Sequence, residues 1–262
     1  MLDLTHWPRP PRPWLGVFTD IDDTLTTDGA ITADALHALG ALKQAGLMII
    51  PITGRPMGWS RNFAHQWPVD ALVAENGAAA WIPQADGAPR ATYQQSDAVR
   101  SANWTRMQAM TARILREVPG AALAQDSAGR ETDIAIDHSE FTHLPPQAIT
   151  QVVELMRSEG MNATVSSIHI NGWFGEHHKL SGAQWIVKQL WGRALAAEIE
   201  RWVYVGDSTN DQVMFEHFEN SVGVANIRRF EAQLTHRPRY ITPSERGAGF
   251  AELARHLLTH LN

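Results

Sequence analysis

The sequence predicts an α/β protein: a Rossmann-like parallel sheet core built from residues 1–82 and 176–262, interrupted by an inserted α+β domain of residues 83–175. Three observations carry this expectation. Short apolar runs alternate with helix-like segments at both ends of the chain, the order that gives a parallel sheet with helices on its faces. Two of those runs end directly in acidic clusters, Asp20 to Asp23 and Asp207 to Asp211. After Trp81 the texture changes to a mixed order of helices and strands that matches neither flank.

Taken in order, Trp14 to Thr19 is a short apolar run after a proline-stiffened lead-in. From Thr32, a plausible N-cap, a helix carries Leu36, Leu39 and Leu42 on one side and stops at Gly46. Leu47 to Ile52 is continuously apolar, as a strand buried on both faces requires. Pro56 suits the first turn of the next helix, and Ala71 to Ala74 is a third strand. Pro83 to Arg90 reads as a linker, followed by a long helix from about Asp97 to Val118 and a strand at Thr132 to Ile136. A helix opens at Pro145–Pro146, and Met161–Val165 and Ser167–Asn171 form a strand pair. From Lys179 the alternation resumes: a helix to Trp191, strand Trp202 to Val205, a helix from Asn210, strand Ser221 to Ala225, and a closing helix from Gly249 to Leu261.

Composition narrows the class. A content of 44% hydrophobic and 19% charged residues over 262 positions is that of a globular chain, not a disordered one. No apolar run approaches the roughly 20 residues that span a bilayer. The net charge of −6 has no basic block, which argues against nucleic acid or an anionic membrane as partner. The N-terminus lacks the basic-then-apolar pattern of a secretory signal, so a cytoplasmic location is expected. Without cysteine there is no thiolate site, and the twelve histidines show no ligand spacing.

The chemistry lies at the ends of the apolar runs. In Phe18–Thr26 three carboxylates, Asp20, Asp22 and Asp23, fall within four positions. Like charges this close raise one another's pKa and oppose folding unless a cation or hydrogen bonds compensate. A lone acidic triplet is most often a solvated turn, but three further motifs accompany it. Thr53-Gly54-Arg55 combines a hydroxyl, a glycine backbone N–H and a helix N-terminus, which together suit an anion, though a capped helix start has the same look. Lys179 opens a helix, where in isolation it would be a surface lysine. In Val205-Gly206-Asp207-Ser208-Thr209-Asn210-Asp211, Asp207 and Asp211 stand four apart, so they can face one point as a helix begins. Hard oxygen ligands of this kind suit Mg²⁺.

Taken in this order, the four motifs resemble those of the haloacid dehalogenase superfamily. The Glu75-Asn76-Gly77 turn, and an insertion between the second and third motifs, resemble its sugar-phosphatase branch with the large α+β (type C2, IIB) cap. That branch includes sucrose-phosphate, mannosyl-3-phosphoglycerate and Cof-type phosphatases. Where many relatives carry a Lys-Gly pair, this chain has Lys179-Leu180. The resemblance implies a Mg²⁺-dependent phosphatase acting on a small phosphomonoester such as a sugar phosphate. Asp20 would be the nucleophile and Asp22 the general acid and base, with Thr53, Lys179 and the backbone near Gly54 holding the phosphoryl oxygens. Mg²⁺ would be bound by Asp20, Asp207 and the main-chain oxygen of Asp22, with Asp211 in or near the shell; Arg55 would share the pocket. Asp23 would stabilise the turn, and Asn210 would touch the phosphate or cap its helix. Trp173 and His169, with Asn171 on the last cap strand, would face the substrate, although a tryptophan there could equally fill the core. Phosphotransfer within one sugar phosphate, as in phosphomannomutases, is the alternative enzyme. A phosphoacceptor or binding module is the non-enzymatic one, disfavoured by the general acid two residues after the acceptor.

Overall fold

The computed structural model describes residues 1–261. Its centre is a six-stranded, all-parallel sheet in the spatial order Leu2–Asp3, Tyr240–Ile241, Ser221–Gly223, Trp202–Gly206, Gly16–Thr19, Met48–Pro51. Successive residues of its central strands point to opposite faces, and both faces are apolar. Val17, Ile49, Val203 and Val205 pack under helices Ala33–Gln44, Met57–Gln66 and Arg246–Thr259. Phe18, Ile50, Trp202 and Tyr204 pack under Lys179–Trp191 and Gln212–His217. A strand buried on both sides must read as a continuous apolar run, which is why these strands stand out in the sequence.

A parallel bridge from Ile52 to Val73 leads to a second, antiparallel sheet of Leu72–Ala74, Ala79–Ile82 and Arg90–Tyr93. Of the stretch 83–90, read from the sequence as a linker, residues 83–89 therefore connect two paired strands and Arg90 opens the second, and the chain leaves this sheet only after Tyr93.

The inserted unit is a four-stranded antiparallel sheet in the order Asn162–Val165, His169–Trp173, Ile134–Asp137, Ala122–Leu123. Helices Asp97–Glu117 and Pro146–Ser158 cover one face, where Met107, Met110, Ile114, Val152 and Met156 enclose Ile134, Ile136 and Ile170. By the period of two, His169, Asn171 and Trp173 belong to the opposite face, which is turned to the parallel core.

Two readings need correction. Leu36 is 39% exposed; the buried stripe of its helix is Ala35, Ala38, Leu39 and Leu42, so alanines take the place the leucine was given. The closing helix begins at Arg246, and Gly247 and Gly249 lie inside it where no side chain fits: a methyl on Gly247 would meet the Thr32 hydroxyl oxygen, and one on Gly249 would meet the Ser244 carbonyl. Among the described residues, no helix is long and apolar enough to cross a membrane.

Candidate active site

Strand Gly16–Thr19 lies between Met48–Pro51 and Trp202–Gly206, all three running parallel. Their carboxyl ends deliver Asp20, Thr53 and Asp207 side by side. The chain passes from the central strand to neighbours on both flanks, the point at which open α/β sheets bind ligands. The register is held past the strand ends: the Asp20 N–H donates to the Val205 carbonyl at 2.9 Å, and the Ile52 N–H to the Thr19 carbonyl at 2.8 Å.

Asp20, Asp207 and Asp211 are buried, and one carboxylate oxygen from each lies within 4.8 Å of the others. The buried Lys179 ammonium donates to Asp20 Oδ1 at 2.7 Å and to Asp211 Oδ1 at 2.6 Å. Asp211 is fully engaged. Its Oδ1 also accepts from the Tyr204 hydroxyl, and its Oδ2 accepts the Asp207 and Ser208 N–H groups at 2.9 and 3.1 Å. Asp207 accepts from Asn226 Nδ2 at 3.1 Å and, at a long 3.5 Å, from the Thr24 hydroxyl.

One ammonium cannot balance three buried carboxylates. Burial raises the Asp20 pKa to about 7; Lys179 opposes this, and Asp211 and Asp22 add to it. Burial and the neighbouring Asp20 and Asp211 charges likewise push Asp207 well above the usual carboxylate range. Lys179 is raised although burial alone would lower it, because Asp20 and Asp211 outweigh that penalty. The site therefore carries excess negative charge in oxygen ligands, the donor set that suits a hard divalent cation.

Lys179 is placed by backbone contact. It is the first residue of its helix, capped by His178, whose ring accepts the Ser181 N–H. The Glu75-Asn76-Gly77 turn lies directly against this helix start. Gly77 has φ +106°, and a methyl on Gly182 would sit 2.5 Å from the Gly77 Cα. The glycine one turn into this helix thus provides the clearance. Gly182→Ala should therefore lower stability by about 1–3 kcal/mol through overpacking against rigid backbone, and lower turnover by moving Lys179. Gly40→Ala, mid-helix with nothing within 4 Å, should instead stabilise by up to about 1 kcal/mol. Thermal melts and kcat of the two variants check the contrast.

Arg55 locks the cap to the core. Its guanidinium, 8% exposed, donates to both oxygens of Asp22 at 3.0–3.1 Å, to Asp126 Oδ2 at 3.0 Å and to Glu140 Oε1 at 2.8 Å. Asp22 is a core residue; Asp126 and Glu140 belong to the cap. His169 Nε2 lies 2.8 Å from the other Glu140 oxygen, and despite the upward pull of burial these two partners hold Glu140 at about 2. The loop bearing Glu140 is itself fixed, since Asp137 accepts the backbone N–H groups of residues 139–142 at 2.9–3.1 Å. A second buried cation, Arg130, donates to the Gly54 carbonyl at 2.9 Å, to Asp133 at 2.8 Å and to Asp126 at 3.1 Å. Asn171 and Asn76 reach Asp133 at 2.9 and 3.4 Å. Glu75, fully buried in the core, accepts from Met57 N–H at 2.9 Å and from the N–H groups of Glu131 and Thr132 in the cap. Burial, then the Asp133 charge, raises Glu75 to about 7.

The structure thus gathers Asp20, Asp22, Thr53, Gly54, Arg55, His169 and Asn210 around one narrow crevice of about 10 Å³, together with Ser166 to Ile168 and Asn171. Both Asp22 carboxylate oxygens accept from Arg55, while Asp22 lines the same crevice as Asp20. Thr53 Oγ1 accepts the Arg55 N–H at 3.1 Å. A methyl on Gly54 would come within 3.3 Å of the Asn76 and Asn171 side chains, so the glycine permits their close approach. Asn210 accepts from the Ser208 hydroxyl at 2.9 Å. Trp173 stands apart: it is buried, its Nε1 donates to the His177 carbonyl at 2.8 Å, and its ring stacks on His177 while lining a neighbouring cavity. Burial lowers His177 to about 4, so that ring is neutral. The sequence reading did not single out Tyr204, Asp126, Arg130, Asp133 or Glu140. Tyr204 left a faint signal, a hydroxyl in an otherwise apolar strand; the cap residues lie in loops and left none.

A family model described as haloacid dehalogenase-like hydrolase matches residues 17–107. No curated protein matches the chain. Among solved structures, a protein from Thermoplasma acidophilum superposes with a TM-score of 0.71 at 16% identity, covering 94% of this chain and 99% of that one. The sucrose-phosphatase from Synechocystis, solved with sucrose and phosphate, gives 0.68 at 19% identity over 94% and 98%. A phosphatase of the haloalkanoate superfamily from Bacteroides thetaiotaomicron gives 0.66 at 16% identity over 96% and 97%. The family match covers the first two motifs and the Glu75-Asn76-Gly77 turn, while Lys179 and the 207–211 motif lie outside it; the superpositions bear out the fold.

Proposed function

We propose that this chain, with its haloacid dehalogenase-like sequence and fold as premise, hydrolyses a small phosphomonoester, such as a sugar phosphate, through an aspartyl-phosphate on Asp20. The observation that carries the reading is the buried Asp20 at the end of the central strand, held by a buried Lys179 inside an over-charged acidic cluster. The Asp20 carboxylate attacks phosphorus as the ester oxygen departs with a proton from Asp22. Water then attacks the acyl phosphate, giving its proton to Asp22, and phosphate leaves. Lys179, the Thr53 hydroxyl and the backbone at Gly54 bind the phosphoryl oxygens and hold them in line.

The donor set fits Mg²⁺, which the carboxylates of Asp20 and Asp207 and the main-chain oxygen of Asp22 would hold. Asp211, with both oxygens engaged by protein donors, would fix Lys179 in place. When bound, the ion supplies positive charge against the transferring phosphoryl group. Phosphate release from a panel of sugar monophosphates should cease in chelator and return with Mg²⁺; full activity in chelator would refute the metal assignment.

The cluster also predicts a pH signature. Folded-state pKa values above the unfolded 3.8 mean that the folded protein holds its protons more tightly. Metal-free stability should therefore fall as pH rises from about 4 through about 7. Mg²⁺ favours the ionised carboxylates, so its stabilising effect in thermal melts should be small at pH 5 and large at pH 8. Asp207→Asn should lower metal affinity while raising the metal-free melting temperature at pH 8. Glu75→Gln should flatten a part of the slope that Mg²⁺ leaves in place, since Glu75 is raised from 4.5 to about 7 by its own burial.

A further inference from the structure

The crevice around Asp20 has room for about one water molecule, so the alcohol part of an ester must lie outside it. Along the seam between cap and core runs a trough of two adjoining cavities. The nearer, of about 450 Å³, has Lys179 and Asn210 on its core side and Asn162, Thr164 and Trp173 on its cap side. The farther, of about 290 Å³, shares Arg157, Thr164 and Gln212 with it. Asn210 lines both the crevice and the nearer cavity, and so marks the passage between them. The sizes are those of small-ligand pockets.

The charge of the trough is unlike that of the chain. The protein carries 28 acidic residues and a net charge of −6, yet no carboxylate lines either cavity. Their permanent cations are Lys179 and Arg157. Lys179 is committed to Asp20 and Asp211. Arg157 lines both cavities, and among the described residues no ion pair engages it; the side-chain hydrogen bond it makes runs from Nη2 to the Ala163 carbonyl at 3.3 Å. The remaining polar lining consists largely of neutral amides and hydroxyls, such as Asn162, Thr164 and Gln212, groups that pair with hydroxyls.

Resting on the phosphatase reading, we infer that the alcohol part of the substrate is a polyhydroxylated chain or ring bearing a second anionic group, carboxylate or phosphate, and that Arg157 is the residue that selects it. A guanidinium with donors to spare matches either oxyanion, and hydroxyls of the same molecule meet the neutral lining.

The test compares gluconate 6-phosphate and glucose 1,6-bisphosphate with glucose 6-phosphate, at low and high salt. The wild-type kcat/KM should be at least about tenfold higher for one of the anionic esters, and the preference should shrink in 1 M KCl as screening dictates. The carboxylate and bisphosphate arms show which anion is read. Arg157→Gln should reduce that preference by about tenfold through KM, and Arg157→Lys should restore part of it. Phosphate release with no anionic preference, or a preference untouched by Arg157→Gln, would overturn this inference and leave the phosphatase reading intact. No phosphate release from these esters or from nitrophenyl phosphate with Mg²⁺ would overturn both.

Discussion

Asp22→Asn should convert the enzyme into one that phosphorylates itself once and then stalls. Nitrophenolate departs without protonation, so attack by Asp20 on nitrophenyl phosphate survives the substitution. Hydrolysis of the acyl phosphate loses its base. The expected record is a burst of nitrophenol of at most one equivalent, then slow turnover, with phosphate trapped on Asp20. An alkyl sugar phosphate needs its leaving oxygen protonated, so both half-reactions slow and no burst develops. General acid–base assistance is worth about 10²- to 10⁴-fold, which separates the two esters clearly. Asp20→Asn should show neither burst nor turnover with either. The Arg55 contact sets the control this experiment needs. Asparagine keeps the shape of Asp22 but turns an amide and no charge towards the guanidinium, so part of any loss could come from a loosened cap. A loosened cap raises KM for both esters alike, whereas a lost proton donor divides them by leaving-group quality. A burst from Asp20→Asn, or wild-type rates of Asp22→Asn on a sugar phosphate, would reverse the assigned roles.

How much of this was legible in the sequence follows the range of the interactions. Asp20, Thr53 and Asp207 end apolar runs because strands buried on both faces carry few polar residues, and no charged one, until they leave the sheet. Helix Lys179–Trp191 has the bounds read for it, and the structure supplies the reason: His178 caps its start and Gly192 ends it in the left-handed conformation. The last strand of the insertion, read as Ser167–Asn171, runs instead from His169 to Trp173, and only this register puts His169, Asn171 and Trp173 on one face. What the pattern cannot contain is the partner of each side chain. Arg55 sits in a motif that suggests an anion site, but its three carboxylates come from positions 22, 126 and 140, brought together only by the tertiary fold. Leu36 went wrong for a related reason: a stripe of alanines packs as closely as leucines when the neighbouring helix approaches, and hydrophobicity alone does not rank them. The hairpin at 83–90 was misread because proline and glycine mark a tight connection and a linker equally well.

Arg55→Ala should be the most destabilising single change at the cap–core seam. It strips Asp22 of its cation and leaves Asp126 with Arg130 alone and Glu140 with His169 alone, the three carboxylates being 12–21% exposed. Removing one partner of a buried pair costs about 3–5 kcal/mol, more than the pair itself contributes, because the remaining charge is stranded. Partial exposure argues for the lower end. A loss of about 3 kcal/mol in a chain of this size corresponds to a melting temperature lower by roughly 6–12 °C. Arg55→Lys keeps the charge but not the fork that serves three carboxylates at once, so it should recover part of the stability and little of the alignment of Asp22. Glu140→Gln should cost less, since Arg55 keeps two partners. Its effect carries a sign with pH. Glu140 is held at about 2, below its usual 4.5, so its contribution is complete above 4.5 and is lost as pH falls towards 2. The wild-type advantage over Glu140→Gln should therefore vanish in acid, while the advantage over Gly182→Ala, which involves no charge, should persist. Hydrogen exchange supplies the spatial check. In Arg55→Ala, protection should fall first at the seam, in the 54–55 loop and around residues 126–133 and 137–142, before it falls in the parallel sheet. Uniform loss of protection across the core strands would mean that Arg55 supports the core itself, and that the cap is held by Glu75 and Arg130 alone.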